Sequence, residues 1–259
     1  CTIQGNADGS TAVDYTVNSA AGYPAITGGG SIQRPVNHVL PAWDIACAYQ
    51  AAFAIVAAQL QRQQCGAGAE LKIALSDIAF TMLSHLGVLA ETQLLGSERP
   101  SIGNHIYGAF GRDFGTADGK RVMVAGISAG QWRALVKACD AGDAVKALEA
   151  RRGRNLDDEA ERHAARDELA ALFEPWFAAR PYAEVAAAMD AHQVCWGPYR
   201  TVGELMAVDP RVSLANPVFE TLDTPGIGPH IAAGSAVRLG GAEREPTSPA
   251  PLLGTHTDE

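Results

Sequence analysis

Between Pro41 and Gly66 the chain carries neither proline nor glycine, and alanine recurs throughout. Ile45, Tyr49, Ala52, Val56 and Leu60 fall three or four residues apart. That spacing predicts a helix over residues 43–64, the element around which the rest must be arranged. Pro41 stands where a proline suits a helix start, and Gly66 and Gly68 supply the stop. Asp44 then lies in the first turn, where the helix dipole and free backbone N–H groups favour negative charge.

The approach to this helix, residues 1–43, is rich in Gly, Pro, Asn and Ser and reads as extended and turn-laden, with a short element over Ala12 to Asn18. Beyond the helix, Glu70 to Leu75 alternates like a strand. Ser76 is placed to cap a second helix reaching Leu95. The break from Gly96 to Pro100 marks a domain boundary. Ile106 to Phe114 and Lys120 to Ile127 read as strands joined through Thr116-Ala117-Asp118-Gly119, in which Asp-Gly signals the turn. Helices are expected over 131–139, 156–177 and 182–192, and residues 197–259 read as loops with short elements.

With 20 Lys plus Arg against 29 Asp plus Glu, the net charge of −9 argues against a nucleic-acid or anionic-membrane partner. The 47% hydrophobic and 19% charged composition is globular. No uninterrupted apolar run approaches the roughly 20 residues that span a bilayer. Cys1, Cys47, Cys65, Cys139 and Cys195 form no C-x-x-C pair. They read as free thiols of a reducing cytoplasm, and neither they nor the seven histidines show metal-ligand spacing. The chain opens on Cys1 and ends on Glu259, and is expected to be a piece of a longer protein that does not turn over alone.

Two constellations compete for chemistry. Asp44 is a carboxylate at a helix start behind a Gly- and Pro-rich loop, where an anion is well held, although Asp is an ordinary first-turn residue. Gly126-Ile127-Ser128-Ala129-Gly130 fits the G-x-S-x-G pattern of a serine hydrolase, with Asp190 or Asp209 and His230 or His256 following in order. Three fixed positions in five make that a weak signal. His85 is expected to pack in the core. The charge run from Arg151 to Glu168, with Asp158 and Arg162 at i,i+4, reads as a solvated helix face, Gly28-Gly29-Gly30 as a turn able to cover a substrate, and the four tryptophans as packing residues.

The order of four stretches resembles the class III CoA-transferase family. They are residues 14–28, beginning Asp14-Tyr15-Thr16-Val17-Asn18; Leu40-Pro41-Ala42-Trp43-Asp44 with its helix, through Gly68 to Asp77; Gly111 to Trp132; and Pro198 to Val208 with Pro251 to Glu259. The resemblance implies an α/β fold: a Rossmann-like large domain, here without its N-terminal units, and a small α+β domain, in two interlocked chains. Residues 1–96 would then be the second part of the large domain, 97–198 the small domain, and 199–259 the return to the large domain. It implies that Asp44 is the catalytic nucleophile and that Asp14 and Tyr15 lie where CoA approaches; Asn37 and His38, just upstream of Asp44, are positioned either to contact the distal carboxylate or to hold the loop together. CoA is then part of the acyl-CoA substrate, with no tightly bound cofactor and no metal. Val13-Asp14-Tyr15-Thr16-Val17-Asn18 and residues 35–44 are similar to the branch that moves CoA within one molecule, between the two carboxyls of methylfumaryl-CoA. Intermolecular transfer, or an inactive acyl-CoA-binding scaffold, are the alternatives. Racemases of the family carry a His where Val13 stands and an acid where Ala129-Gly130 stands. Without that pair, proton exchange at an α-carbon lacks its acid and base.

Overall fold

A computed structural model describes residues 1–29, 31–255 and 257. They form two compact units, Cys1–Trp196 and Gly197–Glu259. The first unit opens with strand β1 (Thr2–Gln4), which pairs in parallel with β2 (Lys72–Ala74), Ile3 opposite Ile73. Parallel strands need a long crossover. Here it holds α1 (Asp14–Ala20), the single turn α2 (Tyr23–Ile26) and the long α3 (Ala42–Cys65). Gly66 stops α3 in the left-handed region (φ 74°), its N–H bonded to Arg62 C=O.

After β2 come α4 (Leu75–His85) and α5 (Val88–Leu95). The sequence predicted one helix here. Gly87, at φ 74°, divides it, and the two halves meet at 62°. Ser76 is not the cap but a buried residue inside the first turn, and its N–H donates to Gly5 C=O (3.1 Å). His85 is exposed rather than packed in the core. Val17, Trp43, Cys47, Leu75, Ile78, Ala79 and Leu83 bring α1, α3 and α4 into one apolar core.

The buried side of α3 is Trp43, Cys47 and Ala51. The stripe that marked the helix in the sequence is solvent-facing: Tyr49, Val56 and Leu60 are exposed, with Phe53 beside them. By length and composition alone α3 is apolar enough to cross a membrane, although Asp44, Gln50, Gln59, Gln61 and Arg62 interrupt its apolar residues.

A second core begins beyond Gly96. Strands β3 (Phe110–Gly115) and β4 (Arg121–Gly126) form an antiparallel hairpin, Phe110 opposite Gly126, closed by the predicted Thr116–Gly119 turn with Gly119 at φ 77°. β5 (Cys195–Pro198) completes the sheet in the order β3-β4-β5. Around it lie α6 (Ala129–Ala138), α7 (Gly142–Arg152), α8 (Glu159–Ala164), α9 (Arg166–Ala178) and α10 (Tyr182–Ala191). Phe110, Phe114, Val122 and Val124 meet Trp132, Leu135, Phe173 and Phe177 in the interior, and the Phe114 and Phe177 rings stack with centroids 4.5 Å apart. Both cores lie within the first unit, Cys1–Trp196. The second unit holds α11 (Val202–Val208), a 3-10 turn at Pro210–Val212 and the hairpin β6 (Phe219–Thr224)–β7 (Gly228–Ala233). In that unit Asp209 pairs with Arg200 and Arg211.

The charge run contains the largest departure from the sequence reading. Asp158 does not pair with Arg162; its carboxylate caps α8 by accepting from Ala160 and Glu161 N–H. Arg162 is 1% exposed. Its guanidinium donates to the carbonyls of Gly126 (3.2 Å) and Ile127 (2.5 Å), at the end of β4, and of Leu156 (2.8 Å), just before α8, and lies over the Trp132 ring. Arg162→Leu removes the donors and leaves three carbonyls near the core short of partners. It is expected to lower the unfolding free energy by about 3 kcal/mol in urea titration; an unchanged midpoint would contradict this.

The cysteines supply a second check. Cys139 is buried, and burial pushes its thiol up to about 12, so below that pH it stays protonated and inert. At pH 8 a thiol-specific disulfide reagent should modify exposed Cys1, Cys65 and Cys195 readily. Cys139 should respond only after unfolding.

Candidate active site

Asp44 projects from the first turn of α3 into a cleft of ≈ 350 Å³ bordered by Gln4, Gly5, Val13, Cys47, Ala48 and Leu75. The cleft lies where β1 and β2 end, at Gln4 and Ala74. Binding sites of open parallel α/β folds form at that carboxyl end of the strands. Gly5 is needed there because a Cβ would stand 2.4 Å from Ala12 N. The Asp44 carboxylate is exposed and makes no side-chain hydrogen bond among the described residues. One turn on, Cys47 closes the floor of the cleft. Burial, then the Asp44 charge beside it, raises its thiol pKa, so it remains a neutral apolar wall.

The start of α3 is held from α1. Asp14 is 1% exposed, and its Oδ2 accepts from Trp43 N (2.7 Å) and Asp44 N (3.3 Å). These are two of the N–H groups that a helix start leaves open, and Pro41, at the cap position, offers no side-chain acceptor for them. One turn along α1, fully buried Asn18 accepts through Oδ1 from Trp43 Nε1 (3.1 Å) and lies 3.2 Å from His38 Nε2. Its amide donates to Asn37 Oδ1 (2.6 Å). The residues named from the sequence therefore assemble around one point, in differing roles. Asp44 faces the cleft. Asn37 and His38 hold the loop before α3 to α1. Asp14 commits one oxygen to the helix start, and Tyr15 is exposed beside it. Asn18 was missed because nothing in its local pattern marks a buried bridge; the clue was its i,i+4 spacing from Asp14.

The Gly28 turn does not border the cleft. Gly28 C=O accepts from Gly103 N (2.7 Å), and Gly30 lies outside the described residues. The competing Ser128 stands at the expected strand-to-helix turn, from β4 into α6, but its hydroxyl caps the helix by accepting from Gln131 N (3.2 Å) while Gln131 Oε1 accepts from Ser128 N. Asp190 accepts from Trp196 Nε1 (2.8 Å), and Asp209 is taken by its two arginines. His256 lies outside the described residues, and His230 belongs to the second unit. Among the described residues no group of three His, Cys, Asp or Glu could hold a metal ion. Ser128→Ala is expected to lower stability by about 1 kcal/mol through the lost cap, which thermal melting checks.

Known proteins match along the whole chain. The family model described as CoA-transferase family III covers residues 3–257. The 2-methylfumaryl-CoA isomerase of Chloroflexus aurantiacus is 49% identical over 257 residues, which is 99% of this chain and 63% of that protein. Among solved structures, a CAIB/BAIF family protein from Brucella suis shares the fold with a TM-score of 0.70 at 21% identity, covering 98% of this chain and 64% of that one. Rv3272 from Mycobacterium tuberculosis gives 0.72 at 18% identity over 98% and 66%. The chain thus spans about two thirds of the length of the relatives it matches. Its mixed α/β fold is that of the CAIB/BAIF structures, and the chain belongs to CoA-transferase family III.

Proposed function

We propose that Asp44 is the nucleophile of a CoA transfer and that the whole protein isomerises 2-methylfumaryl-CoA to 3-methylfumaryl-CoA. The single observation that carries this is the Asp44 carboxylate, without a side-chain partner among the described residues, at a clamped helix start and facing a cleft. The 49% identity to an isomerase of that name supports the substrate.

The chemistry balances without a net proton. An Asp44 oxygen attacks the C1 thioester carbonyl, the C–S bond breaks, and CoA leaves as thiolate, giving a mixed anhydride. The thiolate attacks the Asp44 carbonyl and breaks the anhydride C–O bond. This leaves an aspartyl-CoA thioester and a free C1 carboxylate. The C4 carboxylate of the same methylfumarate then attacks the Asp44 carbonyl and expels the thiolate. The thiolate attacks C4, and the Asp44 carboxylate is restored. Retention of the dicarboxylate makes the return effectively intramolecular, and the anhydride requires water to be kept out. The apolar wall of Cys47, Ala48 and Leu75 serves that need. We assign Asn37 and His38, in the loop before α3, to the distal carboxylate, and Tyr15 to CoA. Acyl-CoA is the substrate, with CoA part of it rather than a resident cofactor. The enzyme works in the cytoplasm as an interlocked homodimer, and the bare apolar side of α3 supports its packing against further polypeptide.

Full-length protein incubated with 2-methylfumaryl-CoA and isotopically labelled free mesaconate separates the readings. Rearranged thioester without label is the expected result. Label in the product would mean intermolecular transfer. No rearrangement would remove this acyl group as the substrate. Asp44→Asn should lower turnover by at least about a thousandfold, since Cys47, which also borders the cleft, has its thiol held protonated by burial.

A further inference from the structure

We infer that Asp14 and Asn18 form a positioning clamp for Asp44, which sets the rate of the chemical step without touching substrate. The inference rests on Asp44 being the nucleophile. Both residues lie on one side of α1, a turn apart, and both are buried, at 1% and 0% exposure. A carboxylate and an amide are rarely buried unless they are bonded. Here almost every bond runs to residues 37–44, the segment that delivers Asp44. The Asp14 carboxylate accepts from the Asp44 backbone N–H itself and, more tightly, from that of Trp43. Asn18 fixes the Trp43 indole and, through His38 and Asn37, the loop before it.

Two consequences follow for the chemistry. The first turn of α3 cannot fray, so the Asp44 Cα has a fixed position above the cleft. A shift of about 1 Å at a reacting group costs on the order of a hundredfold in rate. Asp14 also keeps its charge on the protein side of the helix start. Its Oδ1 is buried with no partner among the described residues, and it does not border the cleft. A residue so placed acts on kcat through Asp44. One that held CoA would act on KM.

The test uses full-length protein and steady-state kinetics with 2-methylfumaryl-CoA for Asp14→Ala, Asp14→Asn, Asn18→Ala and Asp44→Asn. Asp14→Ala is expected to lower kcat at least tenfold with KM within threefold of the parent. Asn18→Ala should do the same to a smaller degree. Asp14→Asn keeps an acceptor for the two N–H groups and should recover kcat to within fivefold. If Asp14→Ala does not fold, Asp14→Ser, whose hydroxyl is a poorer acceptor, replaces it. A rise in KM at constant kcat would overturn the clamp and make Asp14 a CoA contact. Unchanged kinetics, or Asp14→Asn as impaired as Asp14→Ala, would also overturn it. Turnover persisting in Asp44→Asn would instead overturn the nucleophile assignment, which keeps the two failures distinct.

Discussion

A helix start leaves its first N–H groups without partners, and in α3 the preceding proline has no side chain to satisfy them. The Asp14 carboxylate does so from a neighbouring helix. That bond ties α1 to α3 and turns the Trp43 side chain into the core beside Val17 and Cys47. Among the described residues, Asp44 is thereby left free of side-chain partners on the opposite, open side. A local cap from residue 41 would have satisfied the same groups without joining two helices. The tertiary cap makes the position of Asp44 depend on the packing of the whole first core.

The sequence revealed most where local chemistry decided the structure. α3 was legible from its freedom from helix breakers and its glycine stop, and the β3–β4 hairpin from its Asp-Gly turn. Buried polar groups were harder to see. Arg162 looked like one charge in a solvated run. Its partners are backbone carbonyls, two at the end of a distant strand and one at Leu156, which carry no sequence signature. The break at Gly87 was missed because apolar residues continue across it, and only the left-handed backbone at the glycine changes the direction of the chain. The helix predicted over 156–177 likewise divides into α8 and α9 around Ala165, where the chain turns to bury Arg162 and Leu169.

The candidate site divides in the same way. Asp44 was identifiable because a carboxylate at a helix start is a physical pattern as well as part of a family resemblance. The use of Asn37 and His38 to anchor a loop, and of Asn18 to bridge them to Trp43, depended on α1 lying against α3. Ser128 shows the converse. Its motif and its strand-turn-helix setting both match a hydrolase, yet the hydroxyl is occupied by a capping box. A motif identifies residue types and spacing, and hydrogen-bond partners decide what the side chain is free to do.

The central claim is that CoA passes through a covalent bond to Asp44. Full-length protein mixed with 2-methylfumaryl-CoA, quenched in acid and digested, should yield the peptide bearing Asp44 with CoA attached as a thioester. The adduct should be absent from Asp44→Asn. Rapid rearrangement with no adduct on that peptide at any quench time, or an adduct on another residue, would contradict the mechanism.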